Sequence, residues 1–280
     1  MKKLAILVAT IMLCTAAIAQ EKKDTIRIGS MVIVKNGESK GMHINVGKNG
    51  HRKKSNISTN WGVLDLGFSN YMDKTNYAST GGYLVDRPGY PALDKNDFKL
   101  RTGKSVNINI WFFMQELNLA KHYINLRYGL GLELNNYRYK SSVSYKEDGP
   151  VPYSNPATMT NAPFIFRDSI SFSKNKLAAD YLAVPVMLYF KSNPDHEEKG
   201  ICIGLGVSGG YLYSERNKQV SDRGKQKNKG DYDLERFKFA YQAELGLGPI
   251  HLYGSYSPNS IYQKGLDMRP YTIGIRIFSN

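Results

Sequence analysis

Residues 124–135 read Ile-Asn-Leu-Arg-Tyr-Gly-Leu-Gly-Leu-Glu-Leu-Asn, and their alternation has no fault. Ile124, Leu126, Tyr128, Leu130, Leu132 and Leu134 fall on one side, with Asn125, Arg127, Gly129, Gly131, Glu133 and Asn135 on the other. A period of two is the signature of a β-strand, whose successive side chains point to opposite faces. The run is long enough to cross a bilayer, which takes about 9–11 tilted strand residues. Its apolar face is uniformly large, as hydrocarbon requires. Its polar face is rich in Gly and Asn and poor in Lys, which suits a crowded interior better than a water-exposed surface.

Seven further segments follow the same rule. Upstream, Trp61–Tyr71 sets Leu64, Leu66 and Phe68 against Asp65, Gly67 and Ser69. Next, 106–114 sets Val106, Ile108, Ile110, Phe112 and Met114 against Asn107, Asn109, Trp111 and Phe113. Downstream lie 181–190, 201–211, 237–247, 250–257 and 271–277, each with an apolar residue at every second position. The connections between them run long, short, long, short, long, short, long. The short ones are Gln115–Lys121, Lys191–Lys199 and Gly248-Pro249. The long ones are about 72–103, 138–180, 214–236 and 258–269. Outer-membrane barrels sort their connections into short periplasmic turns and longer extracellular loops, whereas a β-sandwich has no reason to. The sequence therefore predicts an all-β fold, an eight-stranded antiparallel transmembrane β-barrel of OmpA/OmpX-like size. A soluble lipocalin-like binder, with the apolar face turned inward, is the alternative if the chain lies outside the membrane.

With the apolar face outward, six charges point inward: Asp65, Glu133 and Glu244 against Arg127, Lys238 and Arg276. Isolated charges in a narrow lumen cost several kcal/mol, on the order given for buried ions, so they are expected to pair into a polar network that plugs it. An open diffusion pore is not expected. Pro185 falls mid-strand and removes a ladder donor, so a bulge or a wide hydrogen-bond position is expected there.

The N-terminus supplies the address. Lys2 and Lys3 precede an apolar run from Leu4 to Ile18, closed by Ala17-Ile18-Ala19, an A-x-A cleavage pattern. Residues 1–19 are read as a signal peptide and 20–58 as a basic, largely flexible periplasmic arm with His51-Arg52-Lys53-Lys54 near its end. Residues 59–280 are read as the barrel, and the expected location is the bacterial outer membrane. Losing Lys2 and Lys3 with the leader lowers the formal charge from +14 to +12. It also removes Cys14, so Cys202 is left with no internal disulfide partner. For an exported chain, a basic excess points to lipopolysaccharide and anionic glycans rather than nucleic acid, or simply to solvated loops. Mean hydropathy is −0.42, which excludes little, because strands of alternating polarity average near neutral.

Other motifs have bland readings. Gly204-Leu205-Gly206-Val207-Ser208-Gly209 matches the dinucleotide-binding glycine pattern. That motif needs a following helix, and Tyr211-Leu212-Tyr213 continues the strand instead. The histidines at 43, 51, 122, 196 and 251 have no metal-ligand spacing. His251 and Ser255 share a strand face, but no carboxylate nearby in sequence orients the imidazole for hydrolysis. Segment 214–236, with Lys225, Lys227 and Lys229, reads as a mobile outer loop.

Three motifs carry a family resemblance: Trp61-Gly62-Val63-Leu64-Asp65-Leu66-Gly67-Phe68, Tyr181-Leu182-Ala183-Val184-Pro185-Val186-Met187-Leu188, and the terminal Gly274-Ile275-Arg276-Ile277-Phe278. From Trp61 to Asn280 the chain resembles the outer-membrane β-barrel domain family of Bacteroidetes-type bacteria, the PorT-like group. That resemblance implies no catalytic residue and no cofactor. Some relatives serve secretion, so it implies an accessory role in protein export or surface assembly as the second reading, with envelope or secretion proteins as partners and the basic arm as contact. The first reading is a monomeric, non-enzymatic envelope protein in outer-membrane lipid and lipopolysaccharide, structural or binding through its loops. A narrow channel and a membrane-embedded hydrolase rank below both.

Overall fold

The computed structural model describes residues 25–28, 31–34, 44–45, 55–196 and 199–278. Eight long strands form the wall: β1 (Ile57–Asp73), β2 (Val106–Ala120), β3 (Ile124–Arg138), β4 (Lys174–Lys191), β5 (Ile201–Ser221), β6 (Phe237–Leu247), β7 (Ile250–Tyr256) and β8 (Met268–Ile277). Each pairs antiparallel with its neighbours in sequence. β8 closes on β1, from Met268 opposite Asp73 to Ile277 opposite Leu64. The ring therefore has no open edge, which is what a strand structure needs where no water can satisfy the backbone.

The apolar face is outward. Phe237 is 69% exposed and Ile273 64%, while Asp65 is fully buried. The outward residues run from Leu66 and Phe68 around to Leu205, Leu245, Leu252 and Ile275, all exposed large hydrophobics. Aromatic residues border this band: Trp61 beside Phe113 at the short-turn end, Tyr211 beside Phe237 at the other. Belts of this kind mark the two water interfaces of a barrel.

Two bulges alter the expected faces. In β2, Trp111 stands opposite Gly131 of β3 and Phe113 opposite Leu130, so Phe112 is an extra residue. The alternation slips by one beyond it. Met114, expected on the lipid side, is therefore fully buried beside Trp111, and Phe113, expected inside, moves to the outer face. The second bulge is not at Pro185. There the pairing of β4 with β3 lapses between Ala183 and Val186 with the register kept, which spares the proline a missing donor. The shift comes instead where Asp180 pairs with Ser214 and Tyr181 with Leu212, leaving Tyr213 as the extra residue.

Beyond that second bulge the strands leave the apolar band and continue as an upper storey. β5 runs to Ser221 and turns back into a strand at Gly224–Lys229. Segment 214–236, expected as a mobile loop, is thus largely paired strand. Its inward Asn217 donates to Asn175 Oδ1 at 3.3 Å, and Gln219 to Ser144 Oγ at 2.7 Å. The other long connections knit together above the barrel. Leu84–Val85 runs parallel to Phe164–Arg167, which pairs antiparallel with Val143–Lys146. They enclose a core of Phe98, Tyr139, Val143, Tyr145, Ile165, Leu177, Tyr232, Ile261 and Tyr262.

The preceding unit, up to Lys54, contains a small antiparallel sheet in which Met31–Val34 pairs with both Thr25–Ile28 and Ile44–Asn45. The leader 1–19 and the basic cluster His51, Arg52, Lys53 and Lys54 lie outside the described residues. β1 starts at Ile57, two residues before the expected barrel boundary at 59, because Ile57 and Ser58 pair with Leu117 and Glu116 of a longer β2.

Candidate functional site

The lumen is where the chemistry collects. Period-two alternation aims one residue in two inward from every strand, and eight strands leave room only for packed side chains. Glycines make space for the large ones: a Cβ on Gly131 would lie 2.7 Å from Trp111 Cε3. Substitution there would force the indole out of its slot.

At the short-turn end, Arg127 Nε donates to Glu116 Oε1 at 2.7 Å, and Lys191 Nζ donates to Glu116 Oε2 at 2.6 Å. Arg127 Nη1 reaches Glu244 Oε1 at 3.1 Å, and its guanidinium lies 3.5 Å over the Tyr189 ring. One level up, Arg276 grips Asp65 with two bonds, Nε to Oδ1 at 2.7 Å and Nη2 to Oδ2 at 2.9 Å, and also pairs with Glu244. Asp65 further accepts Trp111 Nε1 at 2.7 Å and Asn109 Nδ2 at 3.0 Å. Above it an amide ladder continues, Asn107 to Asn109 at 2.9 Å and Asn107 to Asn135 at 3.0 Å. Asn135 Nδ2 meets Glu133 Oε1 at 2.9 Å, and Lys238 pairs with Glu133.

The six charges expected in the lumen all stand there, in two groups. Asp65, Arg127, Glu244 and Arg276 form one connected cluster, while Glu133 and Lys238 make a separate pair higher up. Sequence reasoning missed Glu116 and Lys191. Both fall in the short connections that the alternation predicts, and Glu116 is turned inward by the Phe112 bulge. The signal for it was the unbroken apolar run Trp111-Phe112-Phe113-Met114, where strict alternation fails. With these two added, four carboxylates face four cations among the described residues of the lumen, with His251 beside them.

His251 corrects a second expectation. A carboxylate does orient it, Glu244 Oε1 at 2.9 Å from Nδ1, from seven residues earlier on the facing arm of the β6–β7 hairpin. The same nitrogen is 3.9 Å from Cys202 Sγ. Ser255 is bound instead to Thr272 Oγ1, so no serine–histidine pair forms. The glycines at 204, 206 and 209 lie within β5, which runs on without a helix, so they cradle no phosphate. Among the described residues, no group of three His, Cys, Asp or Glu is placed to hold a metal.

Outside the apolar band, the upper storey has a titratable group of its own. Glu215 is turned inward opposite Ala179 and accepts the Tyr232 N–H at 3.2 Å. Burial beneath the cap raises its carboxyl to about 8.

The model of the outer membrane protein β-barrel domain family matches residues 50–259. No curated protein matches the chain. Among solved structures, similarity is found to Ail, the attachment invasion locus protein of Yersinia pestis, at 13% identity and a TM-score of 0.29, covering 78% of this chain and 98% of that one. The same protein in complex with the heparin analogue sucrose octasulfate gives 14% identity and a TM-score of 0.28 over the same shares. At those scores the barrel assignment rests on the strand pairing and the family match.

Proposed function

The chain belongs to the outer membrane protein β-barrel domain family, and from that premise we propose that it is a non-enzymatic, non-conducting barrel that works by surface binding through its upper storey. It is a protein of the bacterial outer membrane. Short-turn ends of such barrels face the periplasm, which puts the tyrosine-cored cap outside the cell.

The observation that carries this reading is the packing of the lumen. Asp65, Arg127, Glu133, Glu244 and Arg276 are each buried to within a few per cent, and each is held by at least one opposite charge. A permeating ion would have to break pairs whose separation costs about 3–5 kcal/mol each. The cap above adds a second, apolar closure. What remains accessible is the outer surface of the ordered loops, and loops held on a rigid scaffold are the usual carriers of recognition.

Planar-bilayer recording of the refolded protein tests this. The expected result is no steady conductance, for the wild type and for a barrel whose cap loops have been shortened. A stable conductance that Arg127→Ala enlarges would overturn the reading in favour of a narrow channel.

A further inference from the structure

The outward face of the upper storey carries cations in register. Arg138 of β3 stands opposite Lys176 of β4, Lys176 opposite Lys218 of β5, and Lys218 opposite Lys227 of the hairpin strand. The row nearer the membrane pairs Arg216 with Lys229, and the row farther away sets Lys174 and Lys225 on either side of Val220. Like charges directly across a sheet destabilise it, so this arrangement works against folding. Lysines on the hairpin's free edge have an ordinary explanation, since they block unwanted strand pairing. That explanation does not reach Arg138, Lys176 or Lys218, which sit on strands paired on both sides.

Little on this face neutralises them. Among the described residues, the carboxylate paired with it is Asp180, which meets Arg216. Arg138 Nε and Arg216 Nε are buried and have no hydrogen-bond partner. Burial together with Lys218, Lys174, Arg216 and Arg138 pushes the Lys176 ammonium down to about 8. A wall of this kind lacks its counter-charge.

We propose that this wall docks the phosphorylated head region of outer-leaflet glycolipid, the anionic lipid that stands beside the barrel. The proposal rests on the reading that the chain works through its upper storey. Position selects the occupant. The wall continues the lipid-facing surface: Tyr211 and Tyr213 are about half exposed in the same strand. Arg216 follows Tyr213 by three residues, about 10 Å along a strand, which is headgroup height. The rows are one inter-strand spacing wide per cation, about 4.8 Å, and face sideways across the membrane surface rather than up into the medium.

The test uses the full barrel refolded into phosphatidylcholine nanodiscs doped with a bis-phosphorylated lipid A-type glycolipid. The readout is the temperature at which the folded band on an unboiled gel is lost. The folded band should survive to higher temperature as the phosphorylated glycolipid fraction rises, and the gain should shrink with added salt. The dephosphorylated glycolipid should give no gain. In Lys176→Gln/Lys218→Gln/Lys227→Gln, the glycolipid fraction giving half the gain should rise on the order of 100-fold, at roughly 1 kcal/mol for each membrane-proximal lysine. An equal gain from dephosphorylated glycolipid, or an unchanged triple variant, overturns the proposal. So does a gain from soluble dextran sulfate with none from the phosphorylated glycolipid, which would assign the wall to a soluble polysaccharide. The lipid and salt arms use wild-type protein and stand if the variant does not fold. Failure here leaves the bilayer silence of the closed lumen untouched, so the two readings fail separately.

Discussion

Two storeys of one barrel obey opposite rules. Below Tyr181 and Leu212 the wall is apolar outside and ionic inside; above them the same strands are basic outside and, beside a few inward amides such as Asn217 and Gln219, enclose tyrosines and aliphatics. The backbone pattern is identical in both, and the change of sign follows the solvent. In hydrocarbon, the exterior must be apolar and the polar residues are left to satisfy one another within. In water, burial of apolar area again becomes the driving force and the polar residues go outward. The Tyr213 bulge marks where β5 passes from one regime to the other. The lower storey depends on hydrogen bonds between charges, the upper on packing of rings such as Tyr139, Tyr145 and Phe98.

The largest expected contrast is between two ion pairs. Asp65→Ala takes the two-bond partner from Arg276, leaving it only Glu244, and the acceptor from the Trp111 indole, and should cost about 3–5 kcal/mol by urea unfolding of the folded band. Asp231→Ala removes a rim-exposed partner of Arg236 and should cost about 0–1 kcal/mol. Equal costs would mean that the lumen is as wet as the rim, and would break the comparison.

A smaller contrast comes from adding one charge outside. Leu205→Arg puts a guanidinium in the middle of the apolar band and should cost about 2–4 kcal/mol. Met159→Arg, on the exposed surface of the cap, should stay within about 0.5 kcal/mol. If heat-modifiable mobility shows Leu205→Arg to be neutral, the outward face of β5 does not meet hydrocarbon.

The smallest effect is a pH dependence confined to the cap. Glu215 holds its proton up to about 8 in the folded state, against an ordinary value of 4.5. The folded state therefore binds more protons than the unfolded chain between those values, and stability falls as pH rises through that window. Glu215→Gln should flatten the fall by a few degrees in melting temperature between pH 5 and pH 9. A variant that keeps the full fall would place its origin elsewhere.

Much of the lower storey is readable in the one-dimensional pattern. The faultless alternation of Ile124–Asn135 identifies β3 to within three residues, and 237–247 matches β6 end to end. The lumen charges are readable for the same reason, since parity alone assigns Arg127, Glu133 and Glu244 to one side. Where parity fails, so does the reading. The Phe112 bulge reverses Met114 and hides Glu116, because one inserted residue moves every later side chain to the other face. The cap has no period at all. Tyr145 and Tyr262, whose hydroxyls meet at 2.8 Å, are 117 residues apart in connections whose short strand pieces are too brief to show an alternation.

Sequence by itself determined the strands, their number and, wherever the alternation is unbroken, the face each turns to lipid, because a two-residue repeat is a property of a single extended chain in contact with one solvent. Only the tertiary structure decided which charge completes which. His251 and Arg276 reach Glu244 from the two strands that follow it, but Arg127 of β3 completes the group only when the ring closes and brings distant strands around one axis. The cap and its basic outer wall were decided the same way. The cap joins distant connections and the wall aligns cations by the register of neighbouring strands, and no local pattern records either.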